Sequence, residues 1–443
     1  MQLKKEIENV HQYKWGYNLI KTPVDFCLRM FYKKIEFDSL DQKYFNQPCI
    51  YIINHQNTFI DALMLVYQNY RRQITFIARA DVFKKPLARK ILLYLKILPI
   101  FRERDGVDLT KENQVIIDQC SLILNDNKSF GIFPEGTHHG KYFIRPFKKG
   151  TARIAFHAAE KMQFSRPIYI IPTSIYYADI VNGYSTIYVS HGEIINLTQY
   201  YSLYKENPAK AITLLTKDML NNMVQVNLHV SLNEKYYDVV HTFSSVYYSL
   251  HAKNINSVKE EFFFKKESIH TIEKNIQILA EDVIFEAENI AKKFTNWLKF
   301  NNIKEAVFNK SVRNLEKSWR LYSEYFFFFP LMIILKILIQ PIQNIIQKKV
   351  NDMTKRDELF SAALKFGFGM LIFGLYSTSL SILSYFLFGK AFGIFFFFVF
   401  PFLYKTHNYL KELKDSIRVI HLLHKSDEWN KIQYFLKHNI LKQ

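Results

Sequence analysis

Two residues, His55 and Asp61, have the types and spacing for proton-transfer chemistry. They lie in Asn54-His55-Gln56-Asn57-Thr58-Phe59-Ile60-Asp61, directly after the apolar run Cys49-Ile50-Tyr51-Ile52-Ile53. A helix opening near Asn57 or Thr58 would put Asp61 in its first turns, able to fold back toward the loop. A carboxylate that accepts the imidazole Nδ1–H fixes the tautomer and raises the basicity of Nε2. Such a histidine can take a proton from a hydroxyl while the hydroxyl oxygen attacks an electrophile. Alone the pair says little, because a histidine after a strand is commonly structural. A second run gives it weight: Phe133-Pro134-Glu135-Gly136-Thr137 follows the apolar Ser129-Phe130-Gly131-Ile132. Glycine permits close backbone approach and exposes N–H groups suited to a phosphate or an oxyanion. Glu135 is placed to hold a polar substrate group or a partner arginine. A base, a carboxylate and a glycine turn at strand ends are what an active site on an α/β sheet requires.

The elements that must position these residues alternate. Short apolar runs at 49–53, 74–78, 98–101, 129–133, 169–175 and 186–189 read as strands. Helical patterns at 62–70, 86–96, 112–124 and 151–161 lie between them. This alternation predicts an α/β fold with a mostly parallel central sheet flanked by helices. Residues 224–230 alternate apolar and polar with period two and read as an edge strand.

Composition narrows the setting. Hydrophobic residues make up 49% of the chain and aromatics 16%, with 40 Phe, which fits contact with lipid. The net charge of +19, from 59 Lys+Arg against 40 Asp+Glu, favours an anionic partner. No zinc-finger spacing, RNA-stacking motif or basic zipper is present, so the reading is a membrane surface and no nucleic acid. Cys27, Cys49 and Cys120 lie apart in apolar surroundings and read as small core residues. The start of the chain carries charge with no apolar core after it, which argues against a cleaved signal peptide. The catalytic part is therefore expected to face the cytoplasm, attached to the inner (cytoplasmic) membrane.

Five segments follow. Residues 1–36 mix aromatic and basic side chains and form an amphipathic helical segment, lying either in the membrane interface or on the domain. Residues 37–248 form the α/β domain and 249–322 a helical extension of mixed charge. Residues 323–405 are apolar. Within them 366–389 is an uncharged stretch long enough to cross a hydrocarbon core, and 391–404 is a shorter one. Lysines on both flanks make 366–404 a hairpin or re-entrant pair, with a buried helical hairpin as the alternative. Residues 406–443 form a basic C-terminal helix.

Taken jointly, the motifs resemble the glycerophospholipid acyltransferase family, over roughly residues 29–201. Four blocks match in order: Asn54-His55 with Asp61; Leu98-Pro99-Ile100-Phe101-Arg102-Glu103-Arg104-Asp105-Gly106; Phe133-Pro134-Glu135-Gly136-Thr137 with Pro146-Phe147-Lys148-Lys149-Gly150; and Ile170-Ile171-Pro172-Thr173-Ser174-Ile175. The resemblance implies transfer of a fatty acyl group from acyl-CoA or acyl carrier protein to a hydroxyl of glycerol 3-phosphate or 1-acylglycerol 3-phosphate, giving phosphatidic acid in the second case. It makes His55 the general base and Asp61 its orienting partner. It gives Arg102 or Arg104 the acceptor phosphate, a task suited to the bidentate guanidinium. Glu135, Gly136 and Thr137 fall on the acceptor-binding block. Lys148 matches a phosphate-holding base, and Pro172 a position shaping the acyl-donor side. No metal or redox cofactor is implied.

Two departures matter. Five residues separate His55 from Asp61, one more than the commonest family spacing and the same as in the dual-substrate branch, which the apolar C-terminal third also loosely resembles. His138 and His139 follow Thr137 where the family usually has Arg. One phosphate contact is then missing, for which Arg145 or Arg79 can substitute. The adjacent histidines lack a third ligand and are not read as a metal site. Two further readings stand beside the leading one: an acyltransferase or transacylase acting on another lysophospholipid, and a catalytically silent membrane scaffold.

Overall fold

The computed structural model describes residues 2–101, 109–354 and 358–441. Among these, the strands are β1 (Lys34–Phe37), β2 (Cys49–Ile53), β3 (Thr75–Arg79), β4 (Ile97–Ile100), β5 (Ser129–Ile132), β6 (Tyr169–Tyr177), β7 (Thr186–His191) and β8 (Ile195–Asn196). The helices are α1 (Gln2–Ile7), α2 (Trp15–Phe31), α3 (Thr58–Gln68), α4 (Pro86–Tyr94), α5 (Leu109–Asn125), α6 (Gly150–Lys161), α7 (Tyr201–Glu206), α8 (Pro208–Val226), α9 (Tyr237–His251), α10 (Val258–Ile276), α11 (Glu281–Phe300), α12 (Glu305–Arg313), α13 (Ser318–Met353), α14 (Ser361–Phe388), α15 (Lys390–Leu423) and α16 (Asp427–Phe435). The sheet runs β1-β7-β6-β2-β5-β3-β4, with β8 beside β6. β2 pairs in parallel with β5 and β6, and β3 pairs in parallel with β4 and β5. The short β8 is antiparallel to β6. The fold is thus the mostly parallel, helix-flanked sheet that the alternation predicts.

The chain divides into two compact units: residues 1–26, 37–175 and 189–227, and residues 27–36, 176–188 and 228–443. The first holds the centre of the sheet. All five residues of β2 are buried, as expected for a parallel strand covered on both faces. Ile50 and Ile52 point into a cluster with Ile116 and Cys120 of α5, Ala155 and Ala159 of α6, and Leu215 and Met219 of α8. Gly131, registered opposite Tyr51, faces the other way, toward Leu65 of α3.

Residues 224–230 are not an edge strand. Helix α8 runs through Val226, started by Pro208 and by the Asn207 side chain accepting from the Lys210 N–H. The buried Ala211, Leu215, Met219 and Met223 recur every four residues, and this helical repeat outweighs the short period-two run after it.

The second unit is mainly helical. The Glu412 carboxylate of α15 accepts from Lys33 Nζ at 2.9 Å and from Lys310 Nζ of α12 at 2.7 Å. Burial pushes its carboxyl up, but the two ammonium groups outweigh this and hold it below the usual carboxylate range. Helices α14 and α15 meet at Gly389 as an antiparallel hairpin. A Cβ on Gly393 would lie 2.8 Å from Tyr385 Cβ and 2.9 Å from the Ser381 carbonyl, so only glycine lets the two helices approach this closely. Farther along, Phe373 meets Tyr404 and Tyr376 meets Phe400 in edge-to-face contacts. Among the described residues, two helical stretches, α13 and Glu358–Phe388, are long and apolar enough to cross a membrane.

Candidate active site

Because β2 and β5 are parallel neighbours, the loops that follow them emerge at the same end of the sheet, where ligands bind in open α/β folds. The first loop carries His55. Its Nδ1–H donates to Asp61 Oδ2 at 2.9 Å. The same oxygen accepts the Gln56 N–H at 3.1 Å and the Asn57 N–H at 2.9 Å. Asp61 lies in the first turn of α3 and is wholly buried, and the helix N-terminus favours its charge. Where loop becomes helix, Thr58 adopts φ 41, a left-handed conformation uncommon for a β-branched residue. With Nδ1 donating, Nε2 carries the lone pair. The imidazole stacks on Phe133 at 4.0 Å between centroids, and the His138 ring meets it edge-on at 5.7 Å. Asn54 pins the loop's root to β6: its side chain donates to the Ile175 carbonyl at 3.0 Å and accepts the Ile175 N–H at 2.7 Å.

The second loop, after β5, folds against the first. The Gly136 N–H closes a turn on the Phe133 carbonyl at 3.1 Å, and Gly136 takes φ 72, a conformation suited to glycine. Lys148 lies along this glycine, and its N–H donates to the Pro134 carbonyl at 3.0 Å. The Lys148 and Thr137 side chains are exposed, whereas Glu135 is buried. Two cross-links tie the loops together: the His139 N–H donates to the His55 carbonyl, and Gln56 Nε2 to the Lys141 carbonyl, each at 3.1 Å.

The partner of Glu135 is the residue that sequence reading missed. Glu135 Oε2 accepts His139 Nε2–H at 2.8 Å and the Arg145 N–H at 3.1 Å. His139 therefore reaches both loops, with its main chain on His55 and its side chain on Glu135. The i,i+4 spacing across the glycine turn was the available signal. Arg79, considered as a substitute phosphate contact, instead pairs with Asp81. Arg145 reaches Glu135 through its backbone.

Pro172 lies inside β6, buried, opposite Ile52 of β2. Arg102 and Arg104 lie outside the described residues. The chain before them is held at Phe101, whose N–H and carbonyl both pair with the Asn113 side chain, at 3.0 and 3.1 Å. The structure thus brings together His55, Asp61, Glu135, Gly136 and Lys148.

The chain is similar to known proteins over part of its length. Residues 34–176 match the protein-family model described as Acyltransferase. The chain is 31% identical over 112 residues to the chloroplastic 1-acyl-sn-glycerol-3-phosphate acyltransferase BAT2 of Brassica napus, covering 24% of this chain and 29% of that one. It is 26% identical over 127 residues to glycerol-3-phosphate O-acyltransferase 2 of Saccharomyces cerevisiae, covering 28% of this chain and 16% of that one. Among solved structures, the 1-acyl-sn-glycerophosphate acyltransferase PlsC of Thermotoga maritima matches with a TM-score of 0.33 and 15% identity, over 49% of this chain and 86% of that one. The chain spans less than a third of the length of the two curated relatives. Residues 34–176 of this chain are an Acyltransferase-family domain.

Proposed function

We propose that this protein transfers a fatty acyl group from acyl-CoA or acyl carrier protein to a hydroxyl of 1-acylglycerol 3-phosphate or glycerol 3-phosphate. The observation that carries the reading is the His55–Asp61 pair, bonded at 2.9 Å beside the Glu135 loop of an acyltransferase-type domain. His55 Nε2 takes the hydroxyl proton as the oxygen attacks the thioester carbonyl. The tetrahedral adduct then expels the thiolate, which takes the proton back from His55. Asp61 holds the tautomer and stabilises the imidazolium in between. Acyl transfer from a thioester is downhill, so positioning and a base suffice, with no metal or redox cofactor.

Lys148, with Arg102 or Arg104 from the preceding block, receives the acceptor phosphate. Glu135, Gly136 and Thr137 shape the acceptor site, and Pro172 lies on the donor side. Relatives named for both acceptors match, which supports the glycerol phosphate class without choosing within it. The apolar helices hold the protein on the inner membrane, with the catalytic domain toward the cytoplasm, where the acyl tail of the donor and the product both partition.

The test is an assay of the purified full-length protein in lipid, with acyl-CoA as donor and glycerol 3-phosphate, lysophosphatidate or lysophosphatidylcholine as acceptor. The proposal expects acylation of a phosphate monoester. Acylation of lysophosphatidylcholine alone, or of none, overturns it.

A further inference from the structure

Helix α13 has the length and hydropathy of a membrane span, but its partners give it another course. Near its start, Tyr409 Oη of α15 donates to the Glu324 carboxylate. Near its other end, Gln343 Nε2 donates to Asn408 Oδ1 at 3.1 Å. Asn408 and Tyr409 are consecutive residues of α15. A straight helix would separate Glu324 from Gln343 by about 28 Å. No straight helix packed on α15 reaches one point with both side chains, so α13 bends between them.

Pro330 and Pro341 lie in that interval. Each removes an i→i−4 hydrogen bond and presses on the preceding turn, the usual origin of a sharp kink. The bend has an apex. Leu335 and Ile339 are buried in a cluster with Phe400, and Tyr376 Oη of α14 donates to the Leu338 carbonyl at 3.1 Å. Phe400 lies closer to the hairpin tip at Gly389 than Asn408 does. From Tyr376, α14 continues toward Gly389 for about 20 Å. Glu324 and Gln343 therefore meet α15 at one level, farther from the hairpin tip than the middle of α13, which points toward the tip.

We infer that α13 is a re-entrant helix. It dips into the lipid leaflet on the side of the hairpin root and returns, with both termini on one face of the membrane. Its outward side, with Phe326, Phe327, Ile334 and Ile337 exposed, is the lipid contact. The inference rests on the membrane attachment proposed above and adds a topology to it. It halves the apparent number of spans: α13 carries the chain into the membrane without carrying it across.

The test uses the full-length protein with Cys27, Cys49 and Cys120 replaced and acyltransferase activity retained. Single cysteines are introduced as Lys317→Cys and Asn351→Cys, both at exposed positions flanking the bend, with Trp319→Cys and Asp352→Cys as a second pair. An impermeant maleimide is applied to sealed vesicles before and after permeabilisation. The inference expects both members of a pair to label from the same side. Labelling of one before opening and the other only afterwards makes α13 a span and overturns the inference. Release of the protein by alkaline carbonate, a separate measurement, removes the membrane attachment itself.

Discussion

The strand ends around His55 and the tip of the α14–α15 hairpin use burial in opposite ways. At the strand ends Asp61 is 0% exposed, and one of its oxygens takes three N–H donors. At the hairpin, Phe386 is 78% exposed and Phe398 65% exposed. A carboxylate withdrawn from water is tolerated only when its hydrogen bonds are replaced. Aromatic rings left bare are costly in water and comfortable in hydrocarbon. The two regions together describe a protein whose polar chemistry is sheltered inside one unit and whose apolar surface is turned outward on the other.

The comparison can be broken at either end. The largest effect is expected at the site: Asp61→Asn keeps the side chain's shape but frees the imidazole to take the other tautomer, and kcat should fall on the order of 10³-fold. Membrane retention should be unchanged, as read by flotation with vesicles. The converse change, Phe386→Lys with Phe398→Lys, attacks the hairpin. Each lysine costs about 3 kcal/mol at the centre of a bilayer. The fraction retained after an alkaline wash should drop, with the circular dichroism of the folded protein preserved.

A pH effect sharpens the site end. His191 Nδ1 meets the Thr173 hydroxyl at 3.1 Å and Nε2 meets the Gln68 amide at 2.6 Å, in a neutral arrangement. Burial pushes the imidazole down to about 4. The unfolded chain then binds the proton more readily, so this contribution is intact above about pH 6.5 and is lost as pH falls toward about 4. It amounts to roughly 3 kcal/mol. His191→Gln should flatten that part of the thermal-stability profile. The smallest change is expected for His139→Ala, which removes a hydrogen bond to a carboxylate. It should lower kcat/KM about tenfold, mainly through acceptor KM, with activity largely restored by His139→Gln, whose amide can reach the same oxygen.

What could be read from the sequence divides along the same line. The His55–Asp61 bond was legible because both residues belong to one strand-loop-helix passage, and a helix opening at Thr58 allows little but a return of Asp61 to the loop. The nearness of Glu135 followed from alternating strands and helices, which favour parallel neighbours. The Glu135–His139 pair was missed although its i,i+4 spacing was on view: the adjacent histidines drew attention as a metal question, while the partner of His139 lay across a glycine turn. The α8 stretch misled because its last residues alternate like a strand, although its buried positions repeat every four. The bend of α13 was invisible since nothing in its own residues names Tyr409 and Asn408 as partners for both ends. Arg102 and Arg104 lie outside the described residues.

The most direct measurement compares wild-type protein with His55→Ala in lipid, following free thiol release from acyl-CoA in the presence of lysophosphatidate or glycerol 3-phosphate. The account predicts acceptor-dependent thiol release by the wild type and a loss of roughly 10³-fold or more in the variant, with unchanged folding and membrane retention. Acceptor-dependent release that persists at the wild-type rate without the imidazole would contradict it.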